Sequence, residues 1–162
     1  MSRETTTDYT DRLVDLEFLQ SADPERRVQL QFTLAHNGVS RGVTGLQKAI
    51  QRYSRWLLDS YGSNRFHPEI GTNLLPRLLG GQATSRSAIV QQFVAANLHV
   101  MQQLAVEDID SVFGPPPADE RVAQVSLTDY AVDYNTGTLR LVLRLETDAG
   151  ELAPFTIPIE RL

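Results

Sequence analysis

The run Gly114-Pro115-Pro116-Pro117 divides the chain into two parts with different hydrophobic periods. Consecutive prolines keep the backbone extended and cannot continue a helix. Before this run the apolar residues recur every three or four positions, and after it they alternate with polar residues. The first period is typical of helices and the second of strands. The sequence therefore predicts an α+β fold, with a helical N-terminal half packed on a C-terminal three-stranded antiparallel β-meander.

Two amphipathic helices are predicted in the helical half. The first has Thr44 as its N-cap and Gly62 as its C-terminal cap, and the second begins at Thr84 or Ser85 and runs to about Val106. One face of the first helix contains Leu46, Ile50, Tyr53 and Leu57, while its other faces contain Gln47, Lys48, Gln51, Arg52 and Arg55. The buried stripe of the second helix contains Ile89, Phe93, Ala96, Val100 and Leu104.

Two short turns divide the C-terminal part into three strands. The turns are Asn135-Thr136-Gly137 and Asp148-Ala149-Gly150, and between them leucines alternate with mostly polar residues from Leu139 to Leu145. The last strand, Leu152 to Ile159, contains Pro154 and Pro158. Proline cannot donate to a central ladder, so this strand is predicted to lie at the edge of the sheet.

The length of 162 residues fits about one domain. Residues 1–40 are interpreted as an N-terminal arm with a short strand at Arg27 to Leu34, and Leu13 to Leu19 as a short helix or strand. Residues 41–162 are interpreted as a single domain, with helices over 41–113, a proline-rich hinge at 114–117 and the meander over 121–160.

Composition excludes several classes of function. The chain has no cysteine and no long apolar run, and Met1 to Asp8 lack the apolar core of a signal peptide. We therefore expect no thiol chemistry and no membrane partner. Its net charge of −5 and the lack of a basic–aromatic stripe argue against nucleic-acid binding. Residues 41–100 have 7 basic and 2 acidic side chains, giving +5, between flanks of −3 and −7. This basic region could attract an acidic partner or be neutralised within the fold.

Few residues form a pattern typical of catalysis. His67-Pro68-Glu69 has a histidine and a glutamate two positions apart, but glycan hydrolysis needs a second carboxyl group and the sequence identifies none. The carboxylates Glu107, Asp108 and Asp110 lack the spacing of a calcium loop and are expected at a solvated helix end. Trp56, Phe66 and His99 are expected to pack in the core, His99 with a hydrogen-bond partner. We therefore predict no active site, no cofactor and no metal.

The first helix and the loop after it resemble the baseplate wedge family of contractile phage tails, the "lysozyme-like" wedge component that is shared with type VI secretion baseplates. The helix contributes Gln47, Ile50, Arg52, Leu57 and Leu58 to the resemblance. The loop follows the pattern G-x-x-x-F-x-P-x-x-G-[ST] from Gly62 to Thr72. In the β half, Tyr134, Thr136 to Leu139 and Ile157-Pro158-Ile159 also match, so the similarity covers about residues 40–160.

This resemblance implies a structural protein of the tail baseplate in the virion, present in the host cytoplasm during assembly. Its partners would be other baseplate wedge proteins, which contact the helical half, and the tail sheath protein, which pairs with the last strand. Tail tube or hub proteins are further candidate partners. The partner-binding residues implied are Arg65, Phe66, His67, Pro68, Glu69 and Gly71 in the loop and Leu152, Phe155, Ile157 and Ile159 in the last strand.

Some relatives have Glu-Pro-Arg where this chain has His67-Pro68-Glu69, so the complementary groups of the wedge partner are not carried over. Two alternatives stay open at this point. One is the equivalent subunit of a type VI secretion baseplate. The other is a cell-wall glycan hydrolase with Glu69 as its catalytic acid.

Overall fold

A computed structural model describes residues 15–16, 42–82, 85–133 and 135–160 of the chain. The predictions for residues 1–12 and for the strand at Arg27 to Leu34 lie outside the described residues, as do Thr84 and Tyr134. The described part contains helices followed by a three-stranded antiparallel sheet, which confirms the α+β fold. No helix in these ranges is long and apolar enough to cross a lipid bilayer.

Short elements precede the main helices. Strand β1 (Asp15–Leu16) pairs antiparallel with β2 (Gly42–Val43), and helix α1 covers Gly45–Leu58. A short helix α2 (Leu74–Arg77) continues into a π-type turn at Leu78–Gln82, and helix α3 covers Arg86–Asp110. The sheet consists of β3 (Val122–Asp133), β4 (Thr138–Thr147) and β5 (Leu152–Glu160) in the order β3-β4-β5.

Helix α1 is buried over a wider face than its apolar residues predict. Tyr53 and Leu57 are buried as expected, but so are Lys48 and Gln51, which were assigned to the outer faces. Lys48 is buried because its ammonium pairs with Glu120, which lies just before β3. The helix also ends earlier than predicted, at Leu58 with Asp59 as its C-cap, so Gly62 belongs to the following loop.

Helix α3 follows its predicted pattern closely. Its buried residues are the five of the predicted stripe, and Ser85 is its N-cap, with a side-chain oxygen that accepts a hydrogen bond from the Ala88 amide. The helix runs to Asp110, four residues beyond the predicted end. The extension includes Glu107 and Asp108, whose carboxylates bind the Arg52 guanidinium at 3.1 and 2.6 Å. The acidic end is therefore fixed by contacts with α1 and is not simply solvated.

The sheet packs its inner face against α1 and α3. The predicted alternation places Leu139, Leu141, Leu143 and Leu145 in the core, each fully buried. Trp56 is also buried, as expected. The Asn97 side chain connects α1, α3 and the sheet. It accepts a hydrogen bond from the Tyr53 hydroxyl of α1 (2.7 Å) and donates one to the Val125 carbonyl of β3 (3.1 Å). Burial raises the pKa of Tyr53, so this hydroxyl keeps its proton.

Candidate docking surfaces

A loop connects α1 to α2, and its two ends pair with each other. We call the paired ends, Asp59 to Tyr61 and Gly71 to Thr72, the neck of the loop. Ser60 and Thr72 form a parallel bridge at its base, the Tyr61 amide donates to the Thr72 carbonyl (3.1 Å), and the Thr72 amide donates to the Asp59 carbonyl (2.8 Å). The Thr72 hydroxyl donates to the Leu57 carbonyl (2.8 Å), which fixes the neck to the last turn of α1. Both ends of the loop are thus held by backbone contacts to a helix.

Gly71 makes this neck possible. Its φ is +107°, and a Cβ at this position would collide with the Asp59 carbonyl oxygen. Gly71 is also buried. The resemblance implies that Gly71 belongs to the partner-binding residues, and its place in the structure is to shape the loop that carries the exposed ones.

The tip of the loop presents an aromatic side chain to solvent. The Asn64 side-chain oxygen accepts hydrogen bonds from the Phe66 amide (3.0 Å) and the His67 amide (3.2 Å), which orders the backbone at the tip. The Phe66 side chain is 87% exposed. The expectation that Phe66 packs in the core is therefore wrong. Arg65, His67 and Pro68 are exposed around it.

His67 and Glu69 form an exposed pair beside this tip, with His67 Nδ1 3.1 Å from Glu69 Oε1. The pKa of Glu69 is lowered, first by a hydrogen bond from its own backbone amide and then by the hydrogen bond from His67. A catalytic acid needs the opposite shift, because it must be protonated near neutral pH. The pair therefore suits a fixed anionic group at a contact surface.

The second candidate surface is the open edge of β5. The Thr147 amide donates to the Glu151 carbonyl (3.0 Å), so these two residues form a hydrogen-bonded pair. Hydrogen-bonded pairs alternate with non-hydrogen-bonded pairs along an antiparallel ladder. The backbone groups of Leu145, Leu143, Leu141 and Leu139 therefore point toward β5. Pro154 lies opposite Arg144 and Pro158 opposite Arg140, in the intervening non-hydrogen-bonded pairs. The nitrogens of both prolines therefore face the open edge, and the prediction that β5 is an edge strand is confirmed.

This geometry changes which residues of β5 can contact a partner. Phe155, Ile157 and Ile159, which the resemblance implies as partner-binding residues, have side chains that are buried against the leucines of β4. Leu152 is exposed, as a contact residue must be. The backbone groups that face outward belong to every second residue of the strand, namely Leu152, Pro154, Thr156, Pro158 and Glu160. Sequence reasoning missed Thr156, although the four-residue proline spacing already indicates which alternate positions face outward.

Between the two prolines the edge is rich in acceptors and poor in donors. Pro154, Thr156 and Pro158 each offer an outward carbonyl, but Thr156 alone among these three residues has an amide hydrogen. A partner strand can donate to three carbonyls here and accept from one amide.

The opposite edge of the sheet, β3, is partly occupied by side chains of this chain. Asn97 donates to the Val125 carbonyl, and the Asp129 side-chain oxygen accepts a hydrogen bond from the Tyr130 amide (2.8 Å). These groups are satisfied internally, which reduces what β3 offers to a partner strand.

A shallow cavity separates the neck of the loop from α3, lined among others by Tyr61, Arg77 and His99. The His99 ring lies 5.8 Å from the Tyr61 ring, and its Nε2 is buried with no hydrogen-bond partner among the described residues, contrary to expectation. Within those residues no group of three His, Asp or Glu side chains is placed to bind a metal ion.

Comparison with protein-family models, with curated proteins and with solved structures finds no significant match to this chain.

Proposed function

We propose that this protein is a structural baseplate wedge component of a contractile phage tail, which links the wedge core to the first sheath ring. The proposal joins the sequence resemblance to one structural observation: a large apolar side chain, Phe66, is held 87% exposed on a loop whose two ends are fixed. Such an arrangement suits insertion into an apolar site on another protein, because little conformational freedom is lost on binding.

The side chains around Phe66 support docking onto a protein surface. Arg65, His67 and Glu69 are exposed on the same loop within three residues of Phe66, and charged and polar groups next to an apolar one are the usual rim of a protein interface. In the proposed assembly this loop contacts other wedge proteins. Because His67 and Glu69 replace the Glu and Arg of some relatives, the wedge partner has to offer a different set of charges here.

The open edge of β5 supplies the second contact in this proposal. A strand of the tail sheath protein would add to β5 by main-chain hydrogen bonds, donating to the carbonyls of Pro154, Thr156 and Pro158 and accepting from the Thr156 amide. The loop and the edge would then be the two faces of an adaptor, and a change of baseplate shape could pass from the wedge to the sheath through the core between them.

The alternative of a glycan hydrolase has less support. Glu69 is exposed and its pKa is lowered, whereas a catalytic acid needs an environment that raises its pKa. The described carboxylate nearest to Glu69 in sequence, Asp59, lies 3.9 Å from the Arg55 guanidinium. Glu107 and Asp108 bind Arg52.

The experiment is complementation of a strain that lacks this protein, scored by electron microscopy of the tails it makes. Phe66→Ala should leave the protein folded, because the side chain is solvent-exposed, but should greatly reduce the number of tails with a sheath. Phe113→Ala is the matched control, since Phe113 is also an exposed phenylalanine but lies outside the loop and the sheet. Normal tails in the strain that carries Phe66→Ala would contradict the docking role. If the native protein restored lysis of the cell wall but no tails, the result would favour the hydrolase.

A further inference from the structure

The outer face of the sheet carries two arginines without an ion pair. Arg140 and Arg144 are exposed on β4, on the face opposite to the buried leucines of that strand. Neither guanidinium forms an ion pair or a hydrogen bond with any residue that the structure describes. Because a guanidinium keeps its charge and matches the geometry of a carboxylate, each of these side chains can bind an acidic group from outside the chain.

The positions directly beside these arginines in the sheet are uncharged. On one side each arginine faces a small residue of β3, and on the other side it faces a proline of β5. Arg140 lies between Ala131 and Pro158, and Arg144 lies between Ser126 and Pro154. The sheet therefore places no carboxylate directly across from either guanidinium.

The other acidic residues on this face leave both arginines available. The pKa of Asp133 is lowered first by a hydrogen bond from the Asn135 amide, and the charge of Arg140 is the last of its causes. The Asp133 carboxylate accepts from the Asn135 amide at 2.9 Å, so it is held by the turn between β3 and β4. Glu146 lies on the same face of β4 as Arg144, two residues away, but forms no ion pair with it.

Both arginines lie in line with the prolines of the open edge. A strand added to β5 would lie about 9.6 Å from β4, which is two strand spacings. An arginine side chain can lay its apolar stem across a neighbouring apolar group and place its charge beyond that group. Pro154 and Pro158 supply such a group, so each guanidinium can reach a carboxylate on the added strand.

We propose that the strand which pairs with β5 carries two acidic residues, one opposite Pro154 and one opposite Pro158, that bind Arg144 and Arg140. This inference rests on the β5 contact of the proposed function and names the chemistry of the strand bound there. Residues directly opposite each other in a sheet have their side chains on the same face. Each acidic residue would therefore donate its amide to a proline carbonyl and pair its carboxylate with the arginine behind that proline.

The proposal specifies an alternating partner sequence. The two acidic residues are four positions apart, because the two prolines are, and so they share a face. The residue between them lies opposite Thr156, next to Val142, where a β-branched side chain fits. The residues on its other face extend the layer of Phe155 and Ile157 and should be apolar. The partner is thus a strand with one acidic and one apolar face.

The probe for this inference is a short blocked peptide in which threonine and valine alternate, with glutamate replacing two threonines four positions apart. It is titrated into the isotope-labelled full-length chain, and the NMR signal of the outward Thr156 amide reports binding even when affinity is low. Matched peptides have glutamine or lysine in place of glutamate. The glutamate peptide should bind about three- to tenfold more tightly than the glutamine peptide at low salt, and the difference should shrink at high salt.

A charge reversal identifies the source of this preference. The double variant Arg140→Glu, Arg144→Glu should bind the lysine peptide more tightly than the glutamate peptide. Its melting temperature should stay close to that of the native protein, because both side chains are exposed. The control is Arg65→Glu, Arg77→Glu, which makes the same change of net charge at two exposed arginines outside the sheet and should keep the native preference.

Three results would overturn the inference. Equal binding of the glutamate and glutamine peptides would remove the acidic partner and leave the β5 contact of the proposed function standing. A glutamate preference that persists in Arg140→Glu, Arg144→Glu would place the recognition of charge at other residues. If no peptide moves the Thr156 signal, the edge does not accept a strand, and the β5 contact fails together with this inference.

Discussion

Lys48 of α1 and Glu120 of the segment before β3 form an ion pair inside the protein, with Nζ 2.9 Å from Oε2 and side-chain exposures of only 9% and 1%. The same carboxylate accepts a hydrogen bond from the Gly45 amide (3.1 Å), and Arg52 donates to the Glu120 carbonyl (3.2 Å). Three residues of α1 thus converge on Glu120. This contact joins the helical half to the sheet directly after the proline run.

Glu120→Ala should therefore destabilise the protein by about 3–5 kcal/mol, because it leaves the Lys48 ammonium buried without its carboxylate. The measurement is urea denaturation at pH 7. The double variant Lys48→Met, Glu120→Gln should recover part of the loss, since neither residue is then charged. Arg55→Ala is the control: it breaks the exposed Arg55–Asp59 pair and should cost less than about 1 kcal/mol. If Glu120→Ala and Arg55→Ala lowered the free energy of unfolding by the same amount, burial would not be what makes the Lys48–Glu120 pair important.

Gly71→Ala should cost about 2–4 kcal/mol, because an alanine there is strained by the positive φ and collides with the Asp59 carbonyl. Gly62→Ala is the matched control, with a φ of +76° but open space around the new Cβ, and should cost only about 1 kcal/mol. Chemical denaturation gives both values. Hydrogen exchange should show faster exchange of the Thr72 amide in Gly71→Ala alone, and unchanged exchange would show that the neck tolerates the substitution.

Thr156→Pro tests pairing at the β5 edge without removing any core residue. It deletes the one outward amide between the two prolines, so binding of the tail sheath protein should weaken by at least about tenfold. Thr156→Val keeps the amide and should bind normally. A pull-down with purified sheath protein measures both. Deleting the whole strand is a poorer test, because it removes Phe155, Ile157 and Ile159 from the core. Equal binding by both variants would place the sheath contact elsewhere.

Glu69 should titrate below 4.5, the ordinary value for its side chain, in a pH titration followed by NMR. Because the pKa of Glu69 is lower in the folded than in the unfolded protein, ionised Glu69 stabilises the folded protein at pH values above the unfolded-state pKa. This stabilisation is lost as the pH falls through the folded-state pKa. His67→Ala removes one of the causes and should shift the midpoint upward. A midpoint above 4.5 in the native protein would revive Glu69 as a candidate catalytic acid.

Periodicity predicted the features of this fold that depend on burial alone. The buried residues of the stripe from Ile89 to Leu104 are all apolar, and so are the four buried leucines of β4. Their spacing alone therefore predicts which face of each element is buried. Lys48 was missed because its burial depends on Glu120, 72 residues later in the chain, and no local pattern reports such a pair.

The candidate site was predicted less completely than the fold. The loop was predicted to begin at Gly62 after the first helix, and in the structure it begins at Asp59. The exposure of Phe66 depends on hydrogen bonds from the backbone at the tip to Asn64, which its apolar character does not indicate. In β5 the prolines correctly predicted an edge. Four apolar residues of β5 were chosen for contact, and the sheet buries three of them, Phe155, Ile157 and Ile159.

The two prolines of β5 also determine which strands can recognise this edge. Two antiparallel copies of β5 paired edge to edge about Thr156 would exchange hydrogen bonds at Thr156 and between Leu152 and Glu160, while the carbonyls of Pro154 and Pro158 in each copy would face prolines that have no hydrogen to give. A strand with a full set of amides can satisfy all three carbonyls. Each proline thus removes one hydrogen bond from the pairing of β5 with a second copy of itself, so this edge pairs less completely with its own sequence than with a strand that has an amide at every position.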